Sequence, residues 1–185
     1  NWPWAVMANA DIDPAPDTTE LVTELSLIGI RSRQWYEEAE LVQRRSDPQA
    51  YERKVIASYL ANTAEPWQRW GTSELYYVIT GNALDTNRVK RGQQVRLSWS
   101  GQRLEDGKVF DETGPGSGSF TWRFGDPDQV IEGIAIAVSL LREGQEGAFI
   151  VPADLAFGAK GIEGMLDPWT PVRYTVRLEG VERQR

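Results

Sequence analysis

The chain lacks the side chains that most enzymes use for acid–base and nucleophilic chemistry, because its 185 residues include no histidine and no cysteine. A Ser-His-Asp triad, a cysteine nucleophile, a disulfide framework and an ordinary zinc site are therefore excluded. Any catalysis must use carboxylates, hydroxyls, backbone groups or burial. We accordingly expect no metal site and no cofactor.

The chain also lacks an excess of positive charge and a long apolar run. Acidic residues number 27 against 20 basic ones, and the resulting net charge of -7 disfavours a nucleic-acid partner. No stretch approaches the roughly 20 apolar residues of a transmembrane helix, so no membrane span is expected. The start at Asn1, with no basic region followed by an apolar core, indicates a mature or trimmed chain. The absence of cysteine is compatible with cytosol, periplasm and exterior alike.

The N-terminal part, residues 1–70, is predicted to contain an extended segment followed by helices. Residues 1–18 are rich in proline, aspartate and alanine, which favours an extended or poorly ordered segment. From Thr19 to Val42 the apolar residues recur with the helical period. Asp47-Pro48 is typical of an N-cap followed by proline at the first helical position, and this second helix is predicted to run toward Asn62.

Neither of the two helices can bury its apolar stripe alone. The sequence leaves three partners open for them: each other, the domain that follows, or a second copy of the chain. The intramolecular appendage is the favoured interpretation over a dimerisation arm.

Beyond residue 70 the apolar period changes from that of helices to that of strands, so we predict a second domain over residues 71–185. One short helix is predicted to start near Asp128 or Gln129, with Leu141 on its apolar face. An apolar loop over 152–169 is long enough to suggest a function. The predicted class is α+β, an antiparallel sheet covered by one helix. The predicted strands are 74–80, 94–100, 109–110, 120–124, 147–151 and 171–181.

Three segments of this domain place a lone carboxylate, Asp111, among apolar and aromatic residues. The combination suggests a pocket that acts by shape, desolvation and a few fixed dipoles. On periodicity alone, however, Phe110, Phe120, Val130 and Ile131 are core residues, and Asp111 is a solvated loop carboxylate or part of an Asx-turn. The three segments are 109–111, 130–133 and 151–158.

From about Glu74 to Glu182 the chain resembles the FKBP family of peptidyl-prolyl cis/trans isomerases. The matching segments occur in the family's order, which makes the set specific although each segment alone is weak. They are Gly92-Gln93-Gln94-Val95, Ser98-Trp99-Ser100-Gly101, LEDGKVFD over 104–111, QVIEG over 129–133, Gly144-Gln145, Val151-Pro152, LAFG over 155–158, and Gly161.

This resemblance implies a sheet of five or six antiparallel strands curled around one short helix, with a proline-binding pocket between helix and sheet. It also implies an enzyme that isomerises X-Pro bonds of polypeptides and assists protein folding. The residues implied as catalytic are Asp111, Phe110, Trp99 and Phe157. The residues implied as substrate-binding are Phe120, Val130, Ile131, Ile134, Met165, Leu166 and Tyr174.

The sequence departs from the family's commonest pattern at several of these positions. Trp99 and Phe157 stand where many members have tyrosine, and Ile134 stands where tryptophan is usual. Asp167-Pro168 replaces a pair of prolines. Since Phe157 has no hydroxyl to donate to a substrate carbonyl, these changes favour weaker catalysis, and they disfavour the family's macrolide ligands more than proline peptides.

Three functions are open on the sequence alone: an active isomerase, a chaperone or binding module that has lost most activity, and a scaffold component of the cell envelope. Helices followed by this domain resemble envelope-associated bacterial members of the family, some of them lipid-anchored or dimeric. We therefore expect the periplasm or a membrane surface as the location, with cytoplasm as the alternative. The expected partners are proline-containing polypeptides, and a homodimer through the N-terminal helices is the less favoured alternative.

Overall fold

A computed structural model of the protein describes residues 4–9, 26–113 and 118–182. The chain divides into two compact units, Asn1–Asp47 and Pro48–Arg185. Within the described ranges, no helix has the length and apolarity needed to cross a membrane. The elements in chain order are β1 (Trp4–Asn9), β2 (Ser26–Ser32), α1 (Arg33–Ser46), α2 (Pro48–Ala61), β3 (Gln68–Arg69), β4 (Tyr76–Thr80), β5 (Gln94–Arg103), β6 (Val109–Thr113), β7 (Phe120–Arg123), α3 (Glu132–Leu140), β8 (Glu146–Val151), a 3-10 helix (Ala153–Leu155) and β9 (Val172–Val181).

The first unit contains the antiparallel pair β1 and β2 followed by α1. The side chain of Ser32 caps α1 by accepting a hydrogen bond from the backbone N–H of Trp35 at 3.2 Å. The predicted helix over 19–42 is confirmed only from Arg33 onward, and the prediction was wrong over Ser26–Ser32, which form a strand. Gly29 disfavours a helix interior, and the neighbouring isoleucines favour a strand. Residues 19–25 lie outside the described ranges.

The second unit begins with α2, which starts at Pro48 as predicted and ends at Ala61. Its buried Ile56 packs against Leu104 and Ile150 of the sheet domain. Of the partners that the sequence left open, α2 therefore uses the domain that follows it. The domain boundary at residues 70 and 71 stays a prediction.

The main sheet of the second unit has the strand order β3-β4-β8-β9-β5-β6, with β7 paired to β5, and all of its pairings are antiparallel. The predicted α+β class, with a curled sheet around a short helix after an N-terminal helical region, is confirmed. The two-residue strand β3 adds an edge that was not predicted. Its pairing is Gln68 to Tyr77 and Arg69 to Tyr76.

Helix α3 closes the core of this domain by packing on strands β8 and β9. The close approach requires glycine at position 133, because a Cβ atom there would collide with the side chain of Val151. The apolar face of α3 is buried as the sequence period predicts. The largest fully buried side chains of the domain include Tyr174, Phe149, Leu75, Leu97, Leu141 and Leu178.

Candidate functional site

The strand register brings Trp99, Asp111 and Tyr174 to one face of the sheet. Gly101 in the central strand β5 is paired with Asp111 on β6 and with Tyr174 on β9. Paired residues point to the same face of a sheet, and so do residues two apart on one strand, which adds Trp99. Three side chains from three adjacent strands therefore meet above Gly101, where the Tyr174 ring fills the space that a larger residue would take.

Asp111 is held by two hydrogen bonds to the same oxygen. The indole Nε1 of Trp99 and the hydroxyl of Tyr174 each donate to Oδ2 at 2.9 Å. The carboxylate orientation is thereby fixed, with Oδ1 as the oxygen that neither donor occupies. Trp99 stands where the family resemblance implies a tyrosine, and its N–H supplies a donor there.

Tyr174 is an almost fully buried donor, with 1% of its surface exposed. Burial, then the negative charge of Asp111 and the hydrogen bond to it, raise the pKa of the Tyr174 hydroxyl well above its usual range. The hydroxyl therefore stays protonated and remains a donor to the carboxylate at any physiological pH.

A β-bulge explains why the adjacent residues Phe110 and Asp111 both contribute to the site. Consecutive residues of a regular strand point to opposite faces. Here Gly101 pairs with Asp111 while Gln102 pairs with Val109, so Phe110 is an extra residue on β6. Bulges of this kind redirect a side chain, and this one directs Phe110 toward the same cluster of rings.

The Phe110 ring contacts rings from two other elements. Its centroid lies 5.6 Å from that of Phe157 and 5.9 Å from that of Tyr174, in edge-to-face geometry with interplanar angles of 85°. A second pair, Trp99 and Phe120, lies 5.2 Å apart at 65°. Edge-to-face pairs are favourable because a ring edge is positive and a ring face negative.

Phe157 lies in the long loop between β8 and β9, just after the 3-10 helix. The backbone N–H of Gly158 donates to the carbonyl of Ala153 at 2.7 Å, and the N–H of Trp169 donates to the carbonyl of Gly158 at 2.9 Å. Leu166 from the same loop is buried in the core, with 4% of its surface exposed. The loop is therefore a structured wall, as its apolar composition suggests.

The start of α3 lies on another side of the cluster of rings. Ile131 is the N-cap residue of α3 in extended conformation, and no side chain caps this helix end among the described residues. Helix starts leave backbone N–H groups without helical partners, so this end offers donors to a ligand carbonyl. Val130 and Ile131 are half-buried, and Ile134 below them is buried.

The structure gathers ten of the eleven predicted site residues around one cluster of apolar, aromatic and carboxylate groups. Met165 differs, since 51% of its surface is exposed. It lines a cavity of about 330 Å³ with Phe110 and Asp111 at the mouth of the site. The roles of the individual residues stay predictions. The ten are Trp99, Phe110, Asp111, Phe120, Val130, Ile131, Ile134, Phe157, Leu166 and Tyr174.

Gly101 is a site residue that sequence reasoning missed. A Cβ atom on Gly101 would lie 2.7 Å from Cε1 of the Tyr174 ring, well inside van der Waals contact. Glycine thus permits Tyr174 to reach Asp111 across the strand. The available signal was an isolated glycine inside a strand pattern, which often marks close approach of another group.

The chemistry available here is desolvation and fixed hydrogen bonding. Within the described part of the chain, no group of three or more histidine, cysteine, aspartate or glutamate side chains could hold a metal ion. The site offers aromatic walls, one oriented carboxylate and a helix start.

Comparison with known proteins supports a family assignment. The family model described as FKBP-type peptidyl-prolyl cis-trans isomerase matches residues 85–179, just over half of the chain. The chain is 38% identical over 80 residues to a macrophage infectivity potentiator of Trypanosoma cruzi, covering 43% of this chain and 39% of that protein. It is 30% identical over 134 residues to a Neisseria meningitidis protein named probable FKBP-type peptidyl-prolyl cis-trans isomerase FkpA, covering 72% of this chain and 47% of that one.

The chain therefore spans less than half of the length of these two relatives. It covers 84% of the peptidyl-prolyl cis-trans isomerase Fkbp12 of Drosophila melanogaster at 32% identity over 93 residues, which is 50% of this chain. A crystal structure of a peptidyl-prolyl cis-trans isomerase from Pseudomonas syringae shares the fold, with a TM-score of 0.58 and 23% identity over 71% of this chain and 91% of that chain.

Proposed function

This chain belongs to the FKBP-type peptidyl-prolyl cis-trans isomerase family, and on that premise we propose that it isomerises X-Pro bonds of polypeptides and so assists protein folding. The main support is the arrangement around Asp111: one carboxylate oxygen holds Trp99 and Tyr174, while Phe110 and Phe157 meet edge to face beside it.

The reaction suits a site without acid–base groups. An amide rotates over a barrier of about 18–20 kcal/mol because the twisted transition state loses resonance. A twisted amide is less polar than a planar one, so removing water from the bond favours the transition state. Each 1.4 kcal/mol of such preference accelerates the reaction about tenfold. Only binding that is tighter for the twisted form contributes to the rate.

The positions of the side chains support the proposed roles. Phe110, Phe157 and Tyr174 hold the pyrrolidine ring of proline, and the start of α3 at Ile131 supplies a backbone donor to a substrate carbonyl. Asp111 exchanges no proton with the substrate, since its bonds to Trp99 and Tyr174 serve to orient these two rings. Ile134 forms the floor of the pocket.

A weakly active chaperone or binding module is the second candidate. Phe157 favours it, because a phenylalanine has no hydroxyl to hold a rotating carbonyl. Losing one such hydrogen bond costs about 0.5–1.5 kcal/mol of transition-state binding. In this case proline peptides would bind to the pocket with little acceleration of their isomerisation.

The N-terminal unit is proposed to bind a second copy of the chain or an unfolded client, as a scaffold component would. Helix α1 exposes 46% of Leu41 and 65% of Val42, two neighbouring apolar side chains that a partner would cover. Light scattering of the full chain with Val42→Glu tests the homodimer. A dimeric wild type and a monomeric variant support it, and a monomeric wild type refutes it.

The proposed location is the bacterial cell envelope, in the periplasm or anchored by lipid at a membrane surface. The resemblance of the helix-plus-isomerase arrangement to envelope-associated members is what supports it. Fractionation of the producing cells tests the proposal, and recovery of the protein in the cytoplasm alone would contradict it.

Exchange NMR on a short X-Pro peptide tests the activity. The proposal expects the cis and trans signals to exchange faster when the protein is added in catalytic amounts. Peptide binding without faster exchange would favour the binding module.

A further inference from the structure

Helix α2 lies outside the family-model match of residues 85–179, yet it is bonded to a loop that carries a wall of the pocket. The backbone N–H of Ala153 donates a hydrogen bond to Oε1 of Glu52. Ala153 opens the 3-10 helix that leads to Phe157, and its carbonyl accepts from Gly158. Glu52 therefore holds both the start of this wall and, through Ala153, the turn that contains Phe157.

The preceding residue of α2 reaches the β5–β6 hairpin, which carries Phe110 and forms a second wall of the pocket. The hydroxyl of Tyr51 donates to Oε1 of Glu105 at 3.0 Å. Glu105 lies in the turn of the β5–β6 hairpin, five residues before Phe110, and its Oε2 accepts from Arg103 at 3.2 Å. Tyr51 thus bonds to the hairpin on which Phe110 and Asp111 are placed.

Apolar packing accompanies these two bonds. Ile56, one turn further along α2, is buried against Leu104 and Ile150. Leu104 precedes Glu105, and Ile150 stands three residues before Ala153. Helix α2 therefore contacts the two segments that lead into these walls, the turn after β5 and strand β8.

Burial of a carboxylate carries a desolvation cost that apolar packing of a helix does not. Glu52 is 7% exposed, and transfer of an ionised carboxyl group from water into a protein interior is unfavourable unless hydrogen bonds compensate. An apolar residue at position 52 would dock α2 without that cost. It would leave the N–H of Ala153 without a partner, so the bond to the loop is what the glutamate provides.

We propose that Glu52 and Tyr51 are positioning residues, and that α2 sets the separation of Phe157 from Phe110 by bonding the two walls of the pocket. Neither residue belongs to the cluster of rings that faces the substrate. The inference rests on the proposed function, since the pocket that α2 adjusts is the proposed proline site. The inference extends the proposed function, because it makes the isomerase pocket depend on a helix outside the matched domain.

Three variants of the full chain test the proposal. Glu52→Ala removes the acceptor, Glu52→Gln keeps an amide oxygen that accepts from Ala153, and Lys54→Ala is the matched control on the exposed face of α2. We expect Glu52→Ala to lower kcat/KM about fivefold, corresponding to the loss of one buried hydrogen bond. Glu52→Gln and Lys54→Ala are expected to stay within about twofold of the wild type.

NMR provides a readout that does not depend on activity. Glu52→Ala is expected to speed hydrogen exchange of the Ala153 amide. It is also expected to shift the ring-proton signals of Phe110 and Phe157, because their edge-to-face contact determines these shifts. Glu52→Gln should leave the exchange rate and the ring signals near those of the wild type. If Glu52→Ala does not fold, Tyr51→Phe is used in its place. This variant removes only a hydroxyl, and we expect it to shift the ring-proton signals of Phe110 alone.

The outcomes separate the two claims. An active wild type whose rate and ring signals are unchanged by Glu52→Ala, or by Tyr51→Phe in its place, overturns the positioning role and leaves the isomerase intact. An inactive wild type refutes the proposed isomerase activity. The ring-proton signals of Glu52→Ala, compared with those of the wild type, then still test whether α2 positions Phe110 and Phe157. Equal losses of activity in Glu52→Gln and Glu52→Ala would also overturn the proposal.

Discussion

Trp99 and Tyr174 donate hydrogen bonds to one and the same oxygen, Oδ2 of Asp111, each at 2.9 Å. The three residues come from three adjacent strands, so the carboxylate ties β5, β6 and β9 together at the site. In the proposed site this aspartate has a structural task and takes part in no proton transfer. It orders the rings of the proposed proline pocket.

Tyr174→Phe is expected to remove the hydrogen bond to Asp111 while the aromatic ring still fills its place in the core. The ring contact with Phe110 is kept, while Asp111 loses one of its two donors. We expect the free energy of unfolding to fall by about 1 kcal/mol and kcat/KM to fall about threefold. Urea unfolding and the peptide assay measure the two effects. Tyr77→Phe, on the neighbouring part of the sheet, is the control, and equal effects in both variants would show that the bond to Asp111 has no special role.

Phe157→Tyr is expected to strengthen the site. The added hydroxyl would supply the donor that many related proteins have at this position, and a hydrogen bond of about 0.5–1.5 kcal/mol corresponds to a twofold to tenfold gain in kcat/KM. Titration with a macrolide ligand of the family should show a gain of similar size. No gain in either measurement would mean that the ring alone determines the contribution of position 157.

Glu52 should make stability depend on pH near neutrality. Burial raises the pKa of Glu52 from 4.5 to about 7; the charges of Asp154 and Glu74 act in the same direction, whereas the bond from Ala153 and the charge of Arg53 oppose it. Between these two values the folded protein binds more protons than the unfolded chain. The contribution to stability is therefore complete below pH 4.5 and is lost as the pH rises through 7.

The loss amounts to about 3 kcal/mol for a shift of this size. Glu52→Gln cannot ionise, so its free energy of unfolding should fall less than that of the wild type between acid and neutral pH. Urea unfolding of both proteins over this range isolates the contribution, because all other carboxylates are shared. Parallel pH profiles would contradict the raised pKa.

Much of the fold was predictable because the apolar period is local. Val95 and Leu97 alternate with polar residues and are both buried in β5, and Pro48 begins α2 as its N-terminal preference indicates. Strand β3 has only two residues, too few for any period. The apolar residues of segment 26–32 also fit a helical period, but the segment forms a strand because it pairs with β1.

The residues of the candidate site could be listed from the sequence, whereas their arrangement in space could not. The order of the matched segments identified Phe110 and Asp111, although simple alternation would send them to opposite faces. The bulge that unites them depends on the register against β5. The bond from Tyr174 to Asp111 and the bond from Ala153 to Glu52 join residues 63 and 101 positions apart, and local patterns carry no information about such contacts.

The central claim is that the pocket around Asp111 catalyses X-Pro isomerisation, and the most direct measurement is the rate of cis–trans exchange of a short X-Pro peptide with wild type, Asp111→Ala and Phe110→Ala. Circular dichroism confirms that each variant is folded. We expect acceleration by the wild type and a loss of kcat/KM of at least about tenfold in each variant, equivalent to 1.4 kcal/mol of transition-state binding. A wild-type rate equal to the uncatalysed rate would contradict the claim.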